Sequence, residues 1–584
     1  MSRRGPTVGL TALLSLTGLL FVAAVWADES LSDSRARQRL QTKEGRGLEP
    51  YATRPGVPLH DAVKQQQQQR SKPVVIDLKS ALQPFEAPET VNMLSNAPKQ
   101  GAQLSIADVR QKALQNNLNL QVAKMDPTIA AQSLREEQAK FDQVIFAYAK
   151  YGQKDLPAMA GDKVILKSDN AALDGELVKL NPAAQKKEFW ELETGIKVPL
   201  RTGGSVTLSA PLENYESKGS LASDQYRSAL RFSFSQPLLR NAGRQVNEAS
   251  IRIAALDQDS AQLRTRLQSI RIVTMVDKAY WDLYEAWAAL DVRRNQYEYA
   301  NQNLNMVKRR VQEGLTAAIE VNRAEIGVAD RMEALIIAET NLKLAQRQLQ
   351  FLLNELPEQG IANTPWVPAT TPNLVKFEFD RDKLLKDALE SRIELLDQEL
   401  KLSADQLQID YLQNQTLPMF TLDYQYGALS SSANRAGDIG QDLLNGQYND
   451  WSIGLKFEMP VSNEARKAKL DKAIAQRMQR LTNKTLQTLT VKREIHDALD
   501  KVEQNWQRIL AARQQVMIAG YNYEAELKQF NEGLRTMTEV LETLTRLGEA
   551  QLKEIRAIND YQIALIDLTF ATGTVLGYTQ ISMQ

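Results

Sequence analysis

The sequence predicts a mainly α-helical chain that also contributes strands to a membrane β-sheet, arranged as two copies of a helix–strand–helix repeat. Three observations predict this fold class. One part of the chain repeats at a fixed offset, several segments of about ten residues alternate apolar and polar side chains, and other segments keep a helical spacing of apolar residues over unusual lengths. A period of two residues is typical of strands, and spacings of three and four are typical of helices.

The clearest internal similarity lies between two eleven-residue segments. Val311–Val321 aligns with Phe530–Val540 at an offset of 219, and five of the eleven positions are identical. Ordinary composition predicts roughly one identity. A weaker similarity relates Lys112–Leu114 to Asp387–Leu389 at an offset of 275. Because internal duplication outweighs the domain count expected from length alone, we treat the chain as two repeats.

Four segments make up the chain in this interpretation. The first repeat covers residues 101–365 and the second covers 366–584. Residues 1–27 predict a signal peptide, since two arginines precede an apolar run that ends in small residues suited to cleavage after Ala27. A retained transmembrane anchor is the alternative, because the run is long enough to span a membrane. Residues 28–100, rich in proline and glutamine, predict a low-order extension.

Period-two alternation predicts the strands. They cover about 144–151, 190–212 and 229–236 in the first repeat, and about 419–429 and 450–459 in the second. Segments of this length, apolar and often aromatic on one side, are typical of transmembrane barrel strands. A soluble antiparallel sheet gives the same alternation, and the predicted export signal favours the barrel.

The segment 190–212 reads as an extra hairpin that turns at Thr202–Gly204. Nearly all the length difference between the repeats lies between Asp142 and Pro237, which includes this hairpin. The sequence leaves open whether the hairpin extends the barrel or folds outside it.

Helical spacing extends over unusual lengths in both repeats. Between Arg244 and Glu313 there is neither proline nor glycine, and about 70 helical residues at 1.5 Å each span ~105 Å. Apolar residues three and four apart predict a coiled-coil-like seam. Gly314 and Gly533 follow these seams, so each repeat is predicted to turn back there and continue as a second helix.

An oligomer is predicted from strand number. Leaving the extra hairpin aside, each chain offers four strands, and open edges are not tolerated in lipid. The smallest closed membrane barrels have about eight strands. Two chains would therefore close a barrel too narrow for cargo, whereas three chains give twelve strands and six pseudo-equivalent repeats around a pore.

Composition excludes several functional classes. The 71 Lys and Arg residues balance the 71 Asp and Glu residues, which argues against a nucleic-acid partner. The absence of cysteine excludes disulfides and thiolate chemistry, and two histidines leave little for a metal site. No Gly-x-Ser-x-Gly or His-Glu-x-x-His motif occurs. We predict that the protein is not an enzyme and has no cofactor and no metal site.

The sequence resembles the TolC-type outer-membrane efflux proteins (outer membrane factors). The resemblance rests on the duplicated halves, on Ser235–Leu239 leading into a long helix, and on the paired Glu-Gly-Leu tips. It implies a homotrimer with a twelve-stranded β-barrel in the outer-membrane lipid and a long α-helical coiled-coil tunnel in the periplasm. It also implies export as a passive duct that works with a periplasmic adaptor (membrane fusion) protein and an inner-membrane pump, in efflux or type I secretion. A non-channel coiled-coil scaffold in the periplasm or at the surface is the alternative function.

The resemblance also implies roles for residues at the two tips. Positions six and nine residues after Gly533 correspond to an acidic periplasmic constriction, and threefold symmetry would place six carboxylates there. Ordinary solvated charge on a helix face is the alternative for these acids. The residues assigned in this way form three groups: the constriction acids Glu539 and Glu542, the closed-state tethers Glu320, Arg535 and Phe530 (a tyrosine in the family), and the adaptor-docking tips Gly314, Leu315, Gly533 and Leu534.

Overall fold

The computed structural model describes most of the two predicted repeats. The described residues are 52–58, 102–156, 163–165, 177–179, 185–218, 224–356, 365–430 and 448–579. The predicted signal peptide lies outside them, as does most of the predicted extension. Of the helices in these ranges, none combines the length and apolar character that crossing a membrane requires.

The helices are numbered α1 to α11 in chain order. They are α1 Ile106–Asn116, α2 Leu118–Ala123, α3 Met125–Ala139, α4 Arg244–Asn247, α5 Ala249–Gln312, α6 Ile319–Leu352, α7 Arg381–Ser391, α8 Ile393–Gln415, α9 Glu464–Asn531, α10 Met537–Thr572 and α11 Val575–Thr579. The longest, α5 and α9, have 64 and 68 residues. The prediction of two long helices that turn back at Gly314 and Gly533 is confirmed.

The strands are numbered in the same way. They are β1 Ala52–Pro58, β2 Ala102–Leu104, β3 Val144–Leu156, β4 Lys163–Ile165, β5 Leu177–Lys179, β6 Gln185–Pro199, β7 Ser205–Lys218, β8 Asp224–Pro237, β9 Trp366–Pro368, β10 Val375–Phe379, β11 Met419–Leu429 and β12 Tyr448–Glu458. Every predicted strand segment overlaps an observed strand. Within the predicted low-order extension, β1 pairs antiparallel with β10.

Six strands form one antiparallel sheet in the order β12–β11–β8–β7–β6–β3. The sheet thus contains the four strands predicted for the barrel and, in addition, the two strands of the hairpin whose place the sequence left open. The extra hairpin, β6 and β7, is inserted between β3 and β8 and hydrogen-bonds to both. Its strands have 15 and 14 residues, as long as their neighbours. Backbone groups of the hairpin are thus satisfied inside the sheet, which leaves no reason for it to fold separately.

The duplication is visible in the positions of the elements. Helices α1 and α7 have equal lengths and follow the N-cap residues Ser105 and Asp380. Their starts are related by the offset that relates Lys112–Leu114 to Asp387–Leu389, and so are the starts of β3 and β11. The ends of α5 and α9 instead share the offset of the two eleven-residue segments. The duplicated helix–strand–helix fold is confirmed, and the hairpin β6–β7 is the part without a counterpart.

The chain divides into two compact units. One unit, residues 127–260 and 400–481, contains the six-stranded sheet. The other contains the tips of the helical hairpins and the main helical cores. One of these cores gathers apolar side chains of α1, α2, α5 and α6, and another gathers those of α7, α9 and α10.

A buried ion pair joins α1 to α5 in the helical unit. Arg110 donates from Nε to Asp277 Oδ1 at 2.7 Å and from Nη2 to Oδ2 at 2.9 Å. The Asp277 side chain is 1% exposed. Burial raises the pKa of Asp277, and the Arg110 guanidinium opposes that rise. The charged carboxylate is therefore tolerated because a bidentate partner replaces water.

Candidate functional site

The two helical hairpins end in tips of the same geometry. In the first tip the N–H of Leu315 donates to Arg310 O at 2.9 Å, and the N–H of Gly314 donates to Val311 O at 3.1 Å. The second tip has the two equivalent bonds. There the N–H of Leu534 donates to Gln529 O and the N–H of Gly533 donates to Phe530 O. This pair of bonds defines a Schellman turn, which satisfies the last carbonyls of a helix. Both glycines have positive φ, +73° and +79°, and a Cβ on either would meet no neighbour. Glycine is required by conformation rather than by space.

Replacing Gly533 by Ala is expected to destabilise the tip by about 1–2 kcal/mol, because an L-residue in the left-handed region is strained. Gly520 of α9 provides the matched control. A Cβ there would make only an ordinary contact with Leu547 Cδ1 at 3.9 Å. Gly520→Ala should therefore stabilise by up to about 1 kcal/mol through helix propensity. Thermal unfolding of the solubilised protein checks both signs, and equal midpoints for the two variants would contradict the requirement for glycine.

Glu320 lies at the start of α6 and contacts the other hairpin. Its Oε2 accepts a hydrogen bond from the backbone N–H of Met537 at 3.2 Å. Met537 is the first residue of α10, where backbone N–H groups have no partner inside the helix. The Glu320 side chain is 11% exposed and also pairs with Arg323. The carboxylate thus caps a helix of the second hairpin, where the helix dipole favours negative charge.

Arg310 makes the reciprocal contact, and sequence reasoning missed it. Its Nη1 donates to Asn531 O, the last residue of α9, at 2.7 Å. Its guanidinium carbon lies 5.4 Å from the centre of the Phe530 ring. A cation at a helix C-terminus complements the dipole there. The two hairpins of one chain are therefore joined by a carboxylate on a helix N-terminus and a guanidinium on a helix C-terminus.

Phe530 belongs to the packed interior of the tip. It is 3% exposed and lies in a cluster with Val307, Tyr523 and Met537, among others. The Arg310 guanidinium covers its ring. At this position the chain has an apolar contact and a cation–π contact in place of the hydrogen bond that a tyrosine would offer.

Glu539 occupies the third position of α10 and forms a capping box with Thr536. Its Oε2 accepts the Thr536 backbone N–H at 2.8 Å, and its Oε1 accepts from Arg535 Nη1 at 3.0 Å. The Thr536 backbone bond is the main cause that lowers the pKa of Glu539, and Arg535 contributes. Glu539 therefore has a structural role in α10, in addition to any role in a pore.

Glu539 and Glu320 occupy the same position in the two repeats, since both lie within the aligned eleven-residue segments. Thr536 of the second tip corresponds to Ala317 of the first, which offers no hydroxyl. The start of α6 accordingly has no side-chain cap. Both equivalent carboxylates thus serve the N-terminus of α10, one from its own helix and one from α6.

Glu542 and Arg535 complete the predicted set. Glu542 is exposed and pairs with Arg546 at 2.6 Å. Arg535 donates from Nε to Gln529 Oε1 at 3.0 Å and also pairs with Glu526. Gln529 and Arg535 are the repeat equivalents of Arg310 and Thr316, which hydrogen-bond to each other at 3.3 Å. The donating arginine therefore precedes the turn in the first tip and follows it in the second.

The tips therefore bring the predicted residues together, with one difference from the simple expectation of bare acids. Each predicted constriction acid has an arginine partner, Arg535 for Glu539 and Arg546 for Glu542. Leu315 and Leu534 stand out from the tips, 63% and 71% exposed. The arrangement offers charge-paired helix faces and two exposed apolar side chains.

The sequence matches a family model described as outer membrane efflux protein. The match covers residues 200–355 and 384–574, so it includes both hairpins and both tips.

Curated proteins with similar sequences include two that are named outer membrane protein TolC. The one from Vibrio cholerae is 23% identical over 309 residues, which are 52% of this chain and 68% of that protein. The one from Escherichia coli is 24% identical over 310 residues, 51% of this chain and 60% of that protein. Nodulation protein T of Rhizobium leguminosarum bv. trifolii is 20% identical over 326 residues, 56% of this chain and 67% of that protein.

Solved structures of outer-membrane channels share the fold. The channel OprN superposes with a TM-score of 0.57 at 14% identity, over 85% of this chain and 95% of that one. VceC of Vibrio cholerae gives 0.54 at 16% identity, over 80% and 96%. The open state of MtrE from Neisseria gonorrhoeae gives 0.54 at 16% identity, over 81% and 90%. At these identities the likeness concerns the fold, in which barrel strands are combined with a helical tunnel.

Proposed function

This chain belongs to the outer membrane efflux protein family, and from that premise we propose that it is a passive exit duct. Three copies form a pore through the outer membrane, and their long helices form a tunnel in the periplasm. Substrate reaches the tunnel from an inner-membrane pump through a periplasmic adaptor. One observation carries the proposal: a single chain combines an amphipathic antiparallel sheet with helices of 64 and 68 residues, about 96 and 102 Å long at 1.5 Å per residue. A scaffold without a channel would need the helices but not the sheet.

We propose that the tips close the duct at its periplasmic end. Support comes from the reciprocal contacts of Glu320 and Arg310, which hold the two hairpins of each chain together. Glu539 and Glu542 contribute carboxylates to the closed opening. Because each of them is paired with an arginine, the opening has a weaker preference for cations than six bare carboxylates would have.

The exposed leucines of the tips are proposed as the adaptor contact. Leu315 and Leu534 are held outward by the Schellman turns that contain Gly314 and Gly533. Two apolar side chains on turns of the same geometry, repeated in three chains, present six points to a partner. The contact involves little rearrangement of the tip, since the turns are already formed in the free chain.

Planar-bilayer recording tests this function. The purified protein is expected to conduct ions, with a modest preference for cations. Removing the acids with Glu539→Gln and Glu542→Gln should reduce that preference, whereas Arg546→Gln should increase it by leaving Glu542 unpaired. Arg381→Gln, which breaks an exposed pair with Asp500 in the helical unit, serves as the control.

Two results would contradict the proposal at different levels. An unchanged selectivity in the acid and Arg546 variants would remove these residues from the opening but leave the duct intact. Release of the protein from membranes by carbonate, together with the absence of conductance, would contradict the duct itself and favour the scaffold.

A further inference from the structure

The face of the six-stranded sheet that includes Ile145 is apolar from one edge to the other. Direct cross-strand neighbours form one continuous row with one residue from each strand: Ile145, Ile196, Leu208, Phe232, Tyr426 and Trp451. All six side chains are exposed, from 36% for Phe232 to 81% for Ile145. A second row follows across five strands: Val198, Val206, Phe234, Tyr424 and Ile453. In the second row Ile453 is exposed and the other four side chains are partly buried. An exposed apolar row across all six strands indicates contact with lipid rather than with water.

The opposite face is polar along β6, β7, β8, β11 and β12, whereas on β3 it carries Val144 beside Lys197 and Phe146 beside Gly195. The row beside the first apolar one consists of Lys197, Thr207, Ser233, Gln425 and Ser452. This alternation between a lipid face and a lumen face is the pattern of barrel strands. The hairpin β6–β7 keeps the same alternation, in register with β8 of the first repeat and β11 of the second.

The hairpin also runs the full height of the sheet. At one end its turn contacts the segment that follows β8: the N–H of Gly243 donates to Thr202 O at 3.0 Å. Towards the other end, Trp190 of β6 pairs with Tyr151 of β3 and meets Tyr226 of β8 with ring centres 6.2 Å apart. Aromatic side chains of this kind are enriched where barrel strands cross the membrane interface. A hairpin that lay outside the membrane would have no need of this band.

The two outer strands have one unpaired edge each. In the described part of the chain, β3 pairs with β6 alone and β12 pairs with β11 alone. An unpaired strand edge is not tolerated in lipid, so each edge requires another strand. The edge of a second copy of this chain is the matching partner, since β3 of one copy and β12 of the next are both free.

We propose that all six strands of each chain are part of the outer-membrane barrel, and that edge pairing between β3 and β12 of successive copies closes a barrel of eighteen strands. This inference rests on the proposed three-chain duct, because three chains of six strands give eighteen in place of the twelve predicted from sequence. Barrel diameter grows roughly in proportion to strand number, so the pore is about 1.5 times as wide as a twelve-stranded one at equal tilt. Barrels of 16–18 strands leave an open aqueous channel, so the narrowest point of the duct lies outside the barrel.

Thiol labelling tests whether the hairpin is in the membrane. The chain has no cysteine, so single-cysteine variants carry no background. In intact proteoliposomes, a hydrophilic maleimide should label Thr207→Cys on the polar face at least tenfold faster than Leu208→Cys on the apolar face. Ser233→Cys and Phe232→Cys are the matched controls on β8, a strand that both the twelve-stranded and the eighteen-stranded barrel contain.

The outcomes separate this inference from the proposed function. Fast labelling at position 208 with protection at position 232 would place the hairpin outside the membrane and overturn the eighteen-stranded barrel alone. Fast labelling at both positions would contradict a barrel of any size. As a second measurement, particle images of the solubilised protein should resolve eighteen strands with threefold symmetry, and twelve strands would overturn the inference.

Discussion

Replacing Glu320 by Ala together with Arg310 by Met should raise the single-channel conductance of the reconstituted protein several-fold. Glu320 accepts from the first N–H of α10, and Arg310 donates to the last carbonyl of α9. Each hydrogen bond to a charged group contributes about 1.5–3 kcal/mol, and a change of 1.4 kcal/mol shifts a closed-to-open ratio about tenfold. Methionine at 310 keeps an apolar contact with Phe530 while removing the charge.

Glu325→Ala with Arg309→Met provides the control for this experiment. Glu325 pairs with Lys308 at 3.0 Å within the first hairpin, and Arg309 bonds to a carbonyl of its own helix. These changes remove the same charges without loosening one hairpin from the other, so conductance should stay near that of the unmodified protein. If both double variants conducted equally, surface charge rather than the link between hairpins would explain the effect.

Replacing Arg110 by Met should have the largest effect on stability, a loss of about 3–5 kcal/mol. It would leave the buried Asp277 carboxylate without its bidentate partner, and an uncompensated buried charge costs about this much. Removing both partners with Arg110→Met and Asp277→Leu should recover most of the loss. The midpoint of thermal unfolding, followed by the helical circular dichroism signal, measures all variants.

The stability loss of Arg110→Met should depend on pH with a definite sign. Burial raises the pKa of Asp277 and Arg110 opposes this, so removing Arg110 raises the folded-state pKa further. A raised pKa stabilises the protein below the unfolded value of about 3.9, and this stabilisation is lost as pH rises through the folded value. The deficit should therefore shrink on acidification. A deficit that was constant with pH, or a loss as large for the exposed pair Arg381–Asp500 in Arg381→Met, would contradict the role of burial.

Periodicity predicted much of the fold. The observed strand β11 has the predicted bounds, and both helical reversals occur at the predicted glycines. The place of the hairpin could not be predicted, because alternation is the same in a barrel strand and in an external hairpin. Only the pairing partners of β6 and β7 distinguish the two cases, and partners distant in sequence leave no local signal.

The candidate site was predicted only in part, for a related reason. Gly314, Gly533 and the two acids predicted for the constriction follow from the repeat and the family resemblance. The contact of Arg310 with Asn531 does not, since it joins residues 221 positions apart. A signal was available: Arg310 stands at the repeat position of Gln529, two residues before the end of its helix, where a cation can bind a helix-terminal carbonyl. The arginine partners of Glu539 and Glu542 are at the helical spacing of four and were open to prediction.

The unequal capping of the two tips has a consequence for assembly. Helix α10 begins with a capping box and the Glu320 carboxylate, while α6, whose N-cap residue is Ala318, has no side-chain cap. In the proposed trimer, six tips of similar backbone geometry would therefore alternate between a more rigid kind, at the start of α10, and a more flexible kind, at the start of α6. An adaptor that docked on the tips, as proposed above, would therefore meet two classes of binding site in each chain.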